Sequence, residues 1–298
     1  MPGLTLKPRF MDPDGSDRRP PRAAYALPTL FTAGNIFLGF VSVIQSIQGA
    51  MAAHDGTSGA EHHFEIAAKA IGLAVLLDGL DGRIARMTNT ASEFGREMDS
   101  LADVISFGIA PAVLAYVWGV QFIEPSLARP LHDQLIGVGS FFTFLFLLCG
   151  SARLARFNVQ KNPIPKNPGR PHRKYFVGLP IPAAAGMVAS AVYAADSEPI
   201  TYWPLAIAWM VLLALLSFLM VSTWRYYSFK DLNLMRPRTP LTVILLGVLI
   251  ALIWLYSQPV LVTCAAVYVG SGIVIRIGGI IRRHLRPSPP GQPEHQVG

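Results

Sequence analysis

Eight stretches of about twenty mostly apolar residues recur along the chain, each the length a helix needs to cross a bilayer core of roughly 30 Å. They lie at about 27–48, 65–85, 97–118, 134–155, 176–195, 201–222, 240–257 and 259–281. Inside lipid every backbone N–H and C=O must be satisfied within its own segment, so runs of this length are expected to be helices. Only 14% of the residues are charged, against about 25% in soluble domains. The fold class that follows is an all-α integral membrane protein of about eight transmembrane helices.

Charge placement sets the expected orientation. With the N-terminus inside, 23 of the 25 Lys and Arg fall in cytoplasmic segments, and only Lys69 and Arg129 fall on the other side. That bias follows the positive-inside rule and predicts both termini in the cytoplasm. The net charge of +7 is spread over the ends of apolar segments rather than gathered in one groove, which argues against a nucleic-acid partner. Residues 1–22, rich in Pro, Asp and Arg without a signal-like apolar core, are expected to be a disordered cytoplasmic tail, and 287–298 a second one. Cys149 and Cys264 lie in apolar runs and read as small hydrophobes. No repeat of 20–50 residues is visible.

Polar groups interrupt the second and third stretches in an ordered way. Leu77 to Asp103 reads LDGLDGRIARMTNTASEFGREMDSLAD. Asp78 and Asp81 are three apart, and Asp99 and Asp103 four apart, so each pair shares one helical face. The polar stretch from Met87 to Phe94 suits a short cytoplasmic turn that brings the two pairs opposite each other. A carboxylate at mid-membrane costs about 2.5–3.5 kcal/mol on the lenient insertion scale, and four together repel one another. A divalent cation relieves both penalties, and all-oxygen ligands select a hard ion, Mg²⁺ or Mn²⁺. Gly82, Gly95 and Ala85 leave room for a substrate against the helix backbone, and Arg86 offers a bidentate contact to phosphate. Ion pairing with Arg83, Arg86 and Arg96 would account for the charges but not for small residues at fixed places among them. A cation-coupled transporter is the reading from another class. It fits less well, because the four aspartates lie together toward the cytoplasmic side and the other spans hold no acidic relay. His62 and His63 belong to an outside loop and are expected to be solvated.

Asp78-x-x-Asp81-Gly82-x-x-Ala85-Arg86, eight residues, then Gly95-x-x-x-Asp99-x-x-x-Asp103 resembles the signature of the CDP-alcohol phosphatidyltransferases at every position. The resemblance implies a helical bundle of that family. Its core would cover 27–222 with six spans, and 240–282 would add two further spans. It also implies that Asp78, Asp81, Asp99 and Asp103 bind the metal, that Asp103 is the catalytic base, and that Gly82, Ala85, Arg86 and Gly95 contact the CDP-lipid.

The signature is shared by enzymes that use serine, inositol phosphate, glycerol phosphate or choline, so it does not choose the acceptor. Four other segments resemble bacterial membrane-spanning phosphatidylserine synthases: PTLFTAGN (28–35), SFGIAPA (106–112), SARLARFN (151–158) and FVGLPIPA (176–183). That likeness implies CDP-diacylglycerol and L-serine as substrates, with membrane lipid around them, and a multi-pass inner-membrane enzyme with a cytoplasmic active site. A homodimer is also expected. Arg153 and Arg156 end the fourth stretch near the cluster and are candidates for the lipid phosphate and the serine carboxylate, with Asn158 and Lys174 beside them. Asn35 is a candidate for the cytidine or ribose, or else a helix cap.

Overall fold

The computed structural model describes residues 22–88, 93–124, 127–161, 175–227 and 240–285. The two expected tails lie outside them apart from Arg22, as does Lys174. The apolar runs form nine α-helices among the described residues, joined in one place by a π-helical segment. They are α1 (Arg22–His54), α2 (Ala60–Thr88), α3 (Glu93–Asp103), the π segment (Val104–Ile109), α4 (Ala110–Gly119), α5 (Arg129–Lys161), α6 (Ile181–Ala194), α7 (Trp203–Val221), α8 (Pro240–Leu255) and α9 (Ser257–Leu285). Among the described residues, five segments are long and apolar enough to cross a membrane: Thr29–His54, Phe94–Gly119, Arg129–Val159, Trp203–Val221 and Ser257–Gly278. The other three expected spans differ for separate reasons. α2 is 29 residues long but charged, α6 has 14 residues and α8 has 16.

The shortness of α6 has a local cause. The stretch expected to begin a span at 176 begins instead as a strand, β1 (Tyr175–Val177), paired antiparallel with β2 (Arg225–Tyr227) so that Phe176 lies opposite Tyr226. Gly178 follows with φ +78°, and a Cβ there would sit 2.6 Å from the Met220 carbonyl oxygen. Only glycine fits such a left-handed, crowded position without strain. Leu179 and Pro180 then lead into α6, with Pro180 at its N-cap.

Packing follows stripes of small residues. On α2, Ala60, Phe64, Ala67, Ile71 and Ala74 are buried, alternating by four and three so that they form one face. α1 approaches that face closely: a Cβ on Gly49 would lie 2.9 Å from the Phe64 ring. Without a hydrophobic drive between helices in lipid, such close backbone approach is what holds them together. On α5 the inward stripe runs through Gly139, Thr143, Phe146 and Gly150, against Val120 of the α4 end and Ile181 of α6. Trp209 of α7 packs edge-on against Trp118 and donates from Nε1 to the Ala115 carbonyl at 3.1 Å.

Candidate active site

Both stripes end in polar residues. Four residues beyond Ala74 the buried face of α2 presents Asp78, and three beyond Gly150 that of α5 presents Arg153. The alternation that packs the bundle therefore carries a carboxylate and a guanidinium toward its interior. From α3, Asp99 and Asp103 point to the same place. One carboxylate oxygen from each of Asp78, Asp99 and Asp103 lies within 4.8 Å of the others, and all three residues are half-buried. Asp81 continues the α2 stripe by spacing. Its side chain lies outside the described residues, as do those of Ala85 and Arg86 and the position of Gly82 relative to its neighbours.

The three aspartates open into a cavity of about 300 Å³, also lined by Arg96, Glu97, Ser100, Arg153, Phe157 and Asn158 and by Pro180–Pro182 at the start of α6. Asn158 Nδ2 donates to Ser100 Oγ at 2.8 Å, tying α5 to α3. Arg153 sits within electrostatic reach of Asp103, Arg156 and Tyr268, and its Nε is buried without a hydrogen bond among the described residues. Arg156 is placed differently. It donates from Nη1 to the Val221 carbonyl at 3.1 Å and touches the space above Gly178, at the junction of α5, α7 and the ribbon.

Asn35 is 3% exposed in α1, outside the cavity lining. Its backbone carbonyl accepts a hydrogen bond from Ser106 Oγ at 2.8 Å in the π segment. Gly39, one turn on, is pressed against the same serine. The π segment follows Asp103 directly, and an extra residue per turn re-aims a helix; such bulges recur at functional sites. Here it lets Ser106, Phe107 and Gly108 bury against α1 and α5. Gly95 is half-buried at the start of α3. His63 bonds Gln45 Oε1 at 2.7 Å and His62 lies 3.9 Å from Glu65, both far along α2 from the aspartates.

The sequence reading missed Ser100, Glu97, Phe157 and the prolines of α6 as lining residues. Ser100 had a signal, since it lies three residues before Asp103 on the same face. The prolines had only their place in the FVGLPIPA segment (176–183), because it is tertiary packing that brings the start of α6 to the cluster.

As a cation site the cluster has the right chemistry. Its donors are all carboxylate oxygens, and octahedral Mg²⁺ at 2.0–2.1 Å places opposite ligands about 4.2 Å apart. A spread within 4.8 Å closes to that distance by small side-chain rotations.

The family model of the CDP-alcohol phosphatidyltransferases matches residues 25–216. The chain belongs to the CDP-alcohol phosphatidyltransferase family. It is 36% identical over 209 residues to a CDP-diacylglycerol–serine O-phosphatidyltransferase of Helicobacter pylori (strain ATCC 700392 / 26695), covering 70% of this chain and 75% of that one. A protein of the same description from Bacillus subtilis (strain 168) is 28% identical over 204 residues, 68% of this chain and 91% of the relative. An archaetidylserine synthase of Methanothermobacter thermautotrophicus (strain ATCC 29096 and its equivalents) is 38% identical over 167 residues, 55% and 57% of the two chains. The family match ends before α8 and α9.

Proposed function

We propose that this chain transfers the phosphatidyl group of CDP-diacylglycerol to the hydroxyl of L-serine, forming phosphatidylserine and CMP. The observation that carries the reading is the convergence of Asp78, Asp99 and Asp103 at the head of a cavity that also holds Arg153 and Asn158. Serine, rather than another acceptor, is supported by the names of all three relatives. Asp78, Asp81, Asp99 and Asp103 would hold Mg²⁺ or Mn²⁺, which supplies charge neutralisation for the diphosphate. Asp103 accepts the proton of the serine hydroxyl, whose oxygen forms the new bond to the lipid-side phosphorus while the bond to the CMP oxygen breaks. Arg153 offers its guanidinium to an anionic group of either substrate, the lipid phosphate or the serine carboxylate. Asn158, held by Ser100, orients the acceptor.

The positive-inside bias supports eight spans with both termini and the cavity on the cytoplasmic side of an inner membrane, and a homodimer is the proposed assembly. The deciding experiment incubates purified protein with CDP-diacylglycerol, Mn²⁺ or Mg²⁺ and a panel of alcohols, and follows CMP release. Serine should be the preferred acceptor. CMP release with glycerol phosphate, inositol phosphate or choline but not serine overturns the acceptor, and no release with any of them overturns the reaction.

A further inference from the structure

The aspartate cavity holds more charge than a cation and a base use. Carboxylates line it from Asp78, Glu97, Asp99 and Asp103, and guanidinium groups from Arg96 and Arg153. Asp78, Asp99 and Asp103 are gathered within 4.8 Å of one another, and Glu97 stands outside that group. Among the described lining residues it is the carboxylate that the metal site leaves over.

Packing and helix stability do not account for Glu97 at this place. It is exposed, and its carboxylate has no ion-pair or hydrogen-bonding partner among the described residues. The residues three and four positions away on α3 are Glu93, Phe94, Ser100 and Leu101. None is a cation, so no ion pair along the helix surface is open to it. Stabilisation of an acidic group by the helix dipole falls off within the first turn, and Glu97 stands four residues after α3 begins. The turn that carries it is nevertheless held in place. Ser100 Oγ donates to the Arg96 carbonyl at 2.9 Å and accepts from Asn158 Nδ2 at 2.8 Å, which ties this turn to α5. Asp103 lies six residues further along α3, about 9 Å. An acceptor whose hydroxyl meets Asp103 can therefore present its other end to Glu97.

We infer that Glu97 receives the ammonium group of the acceptor and so selects a zwitterionic amino alcohol over a phosphorylated one. The inference deepens the serine reading and rests on it. Besides its hydroxyl, serine carries one cation and one anion. The cavity offers Glu97 to the first, the guanidinium groups of Arg96 and Arg153 to the second, and Asp103 to the hydroxyl. A phosphorylated acceptor without an amino group has no cation for Glu97. It brings instead a charge of about −1.5 to −2 toward a carboxylate that the metal does not neutralise. Specificity of this kind comes as much from repelling the wrong partner as from holding the right one. Glu97 also falls between Gly95 and Asp99, at a position the shared signature leaves unspecified, as a residue that chooses among acceptors must.

The test uses the whole protein in dodecyl maltoside micelles with Mn²⁺ and CDP-diacylglycerol, followed by CMP release. Glu97→Gln keeps the size of the side chain and removes its charge. The KM for L-serine should rise about tenfold, the lower end for a lost hydrogen bond to a charged group because Glu97 is exposed. Turnover at saturating serine should fall by less than KM rises. The KM for CDP-diacylglycerol should stay within about twofold, too little to reflect a lost contact, which also reports that the variant folds. 3-Hydroxypropanoate, which is serine without its ammonium, should inhibit both proteins alike. Glycerol 3-phosphate should inhibit Glu97→Gln more strongly than the unsubstituted protein, and Glu97→Asp should recover part of the serine affinity. An unchanged KM for serine, or an equal loss of affinity for serine and 3-hydroxypropanoate, would overturn the role of Glu97. Failure of the unsubstituted protein to release CMP with serine, while another alcohol supports release, would instead overturn the serine reading.

Discussion

Replacing Asp103 by Asn separates its two assigned roles. The side chains are nearly the same size, and Asp103 ends α3 with helical backbone angles (φ −60°, ψ −42°), which Asn also adopts. The fold and the π segment after it should survive. Two things are lost. One is a negative charge from a cluster whose other described members, Asp78 and Asp99, remain within 4.8 Å of each other. The other is the base. A positioned general base is worth about 10²–10⁴ in rate, or about 3–5.5 kcal/mol in the barrier. Weakened cation affinity can be offset by adding cation, whereas a missing base cannot. CMP release should therefore be followed across a Mn²⁺ titration at saturating serine, with CDP-lipid binding measured in parallel. The expected result is a turnover fall of 10²–10⁴ that persists at the highest Mn²⁺, with lipid binding reduced only a few-fold. Asp99→Asn, in contrast, should recover much of its turnover as Mn²⁺ rises. Full recovery of Asp103→Asn at high Mn²⁺ would refute the base assignment and leave Asp103 as a ligand only.

Arg153 and Arg156 should part company. Arg153→Ala should raise the KM for serine or for CDP-lipid at least about tenfold, the scale of a lost charged hydrogen bond, measured by CMP-release kinetics. Arg156→Ala loses its bond to the Val221 carbonyl and should cost about 1.5–3 kcal/mol of stability, seen as a lower Tm in detergent with KM little changed. Gly39→Ala should destabilise by about 1–3 kcal/mol through overpacking, because its Cβ would meet Ser106 Oγ at 2.7 Å and the Ser106 Cα at 2.9 Å; thermal unfolding and turnover should fall together. Chelation with EDTA should abolish CMP release while circular dichroism stays unchanged, and Mg²⁺ or Mn²⁺ should restore it where Ca²⁺, with its longer bonds and larger coordination number, does not.

How much of this was legible in the sequence depends on whether position along a helix or position between helices decides it. Asp78, Asp99 and Asp103 were readable because a three- or four-residue spacing fixes a helical face whatever packs against it. Arg153 and Arg156 obey the same spacing rule, yet one lines the cavity and the other braces the ribbon. What separates them is a carbonyl 65 residues later in the chain, which no local pattern reports. The helix expected over 176–195 starts later, at Ile181, for a similar reason. Its composition is apolar enough, but β1 pairs with β2 from beyond α7, and Gly178 then turns the chain before α6 begins. SFGIAPA was legible as a distinctive segment, but not as a π turn, because the extra residue is stabilised by Ser106 reaching back to Asn35 in α1.

The half-burial of the aspartates follows from the chemistry they are assigned. A fully buried cluster would protonate in the absence of a cation and would shut out serine, which is zwitterionic and must arrive from water. A fully exposed one would lie out of reach of a lipid phosphorus whose acyl chains remain in the membrane. The bundle meets both demands by placing the carboxylates where apolar stripes give way to polar ends. Asp78 follows Ala74 on α2, and Arg153 follows Gly150 on α5. The same transition puts the polar cavity against Pro182, with a larger apolar cavity between α2, α6 and α9 on its other side. Moving the aspartate pattern one turn deeper into α2 would preserve every motif spacing within that helix while separating Asp78 from Asp99 and Asp103. Turnover in such a register-shifted variant should vanish even with all four aspartates present, because it is the meeting of two helices at one depth, rather than the motif alone, that assembles the site.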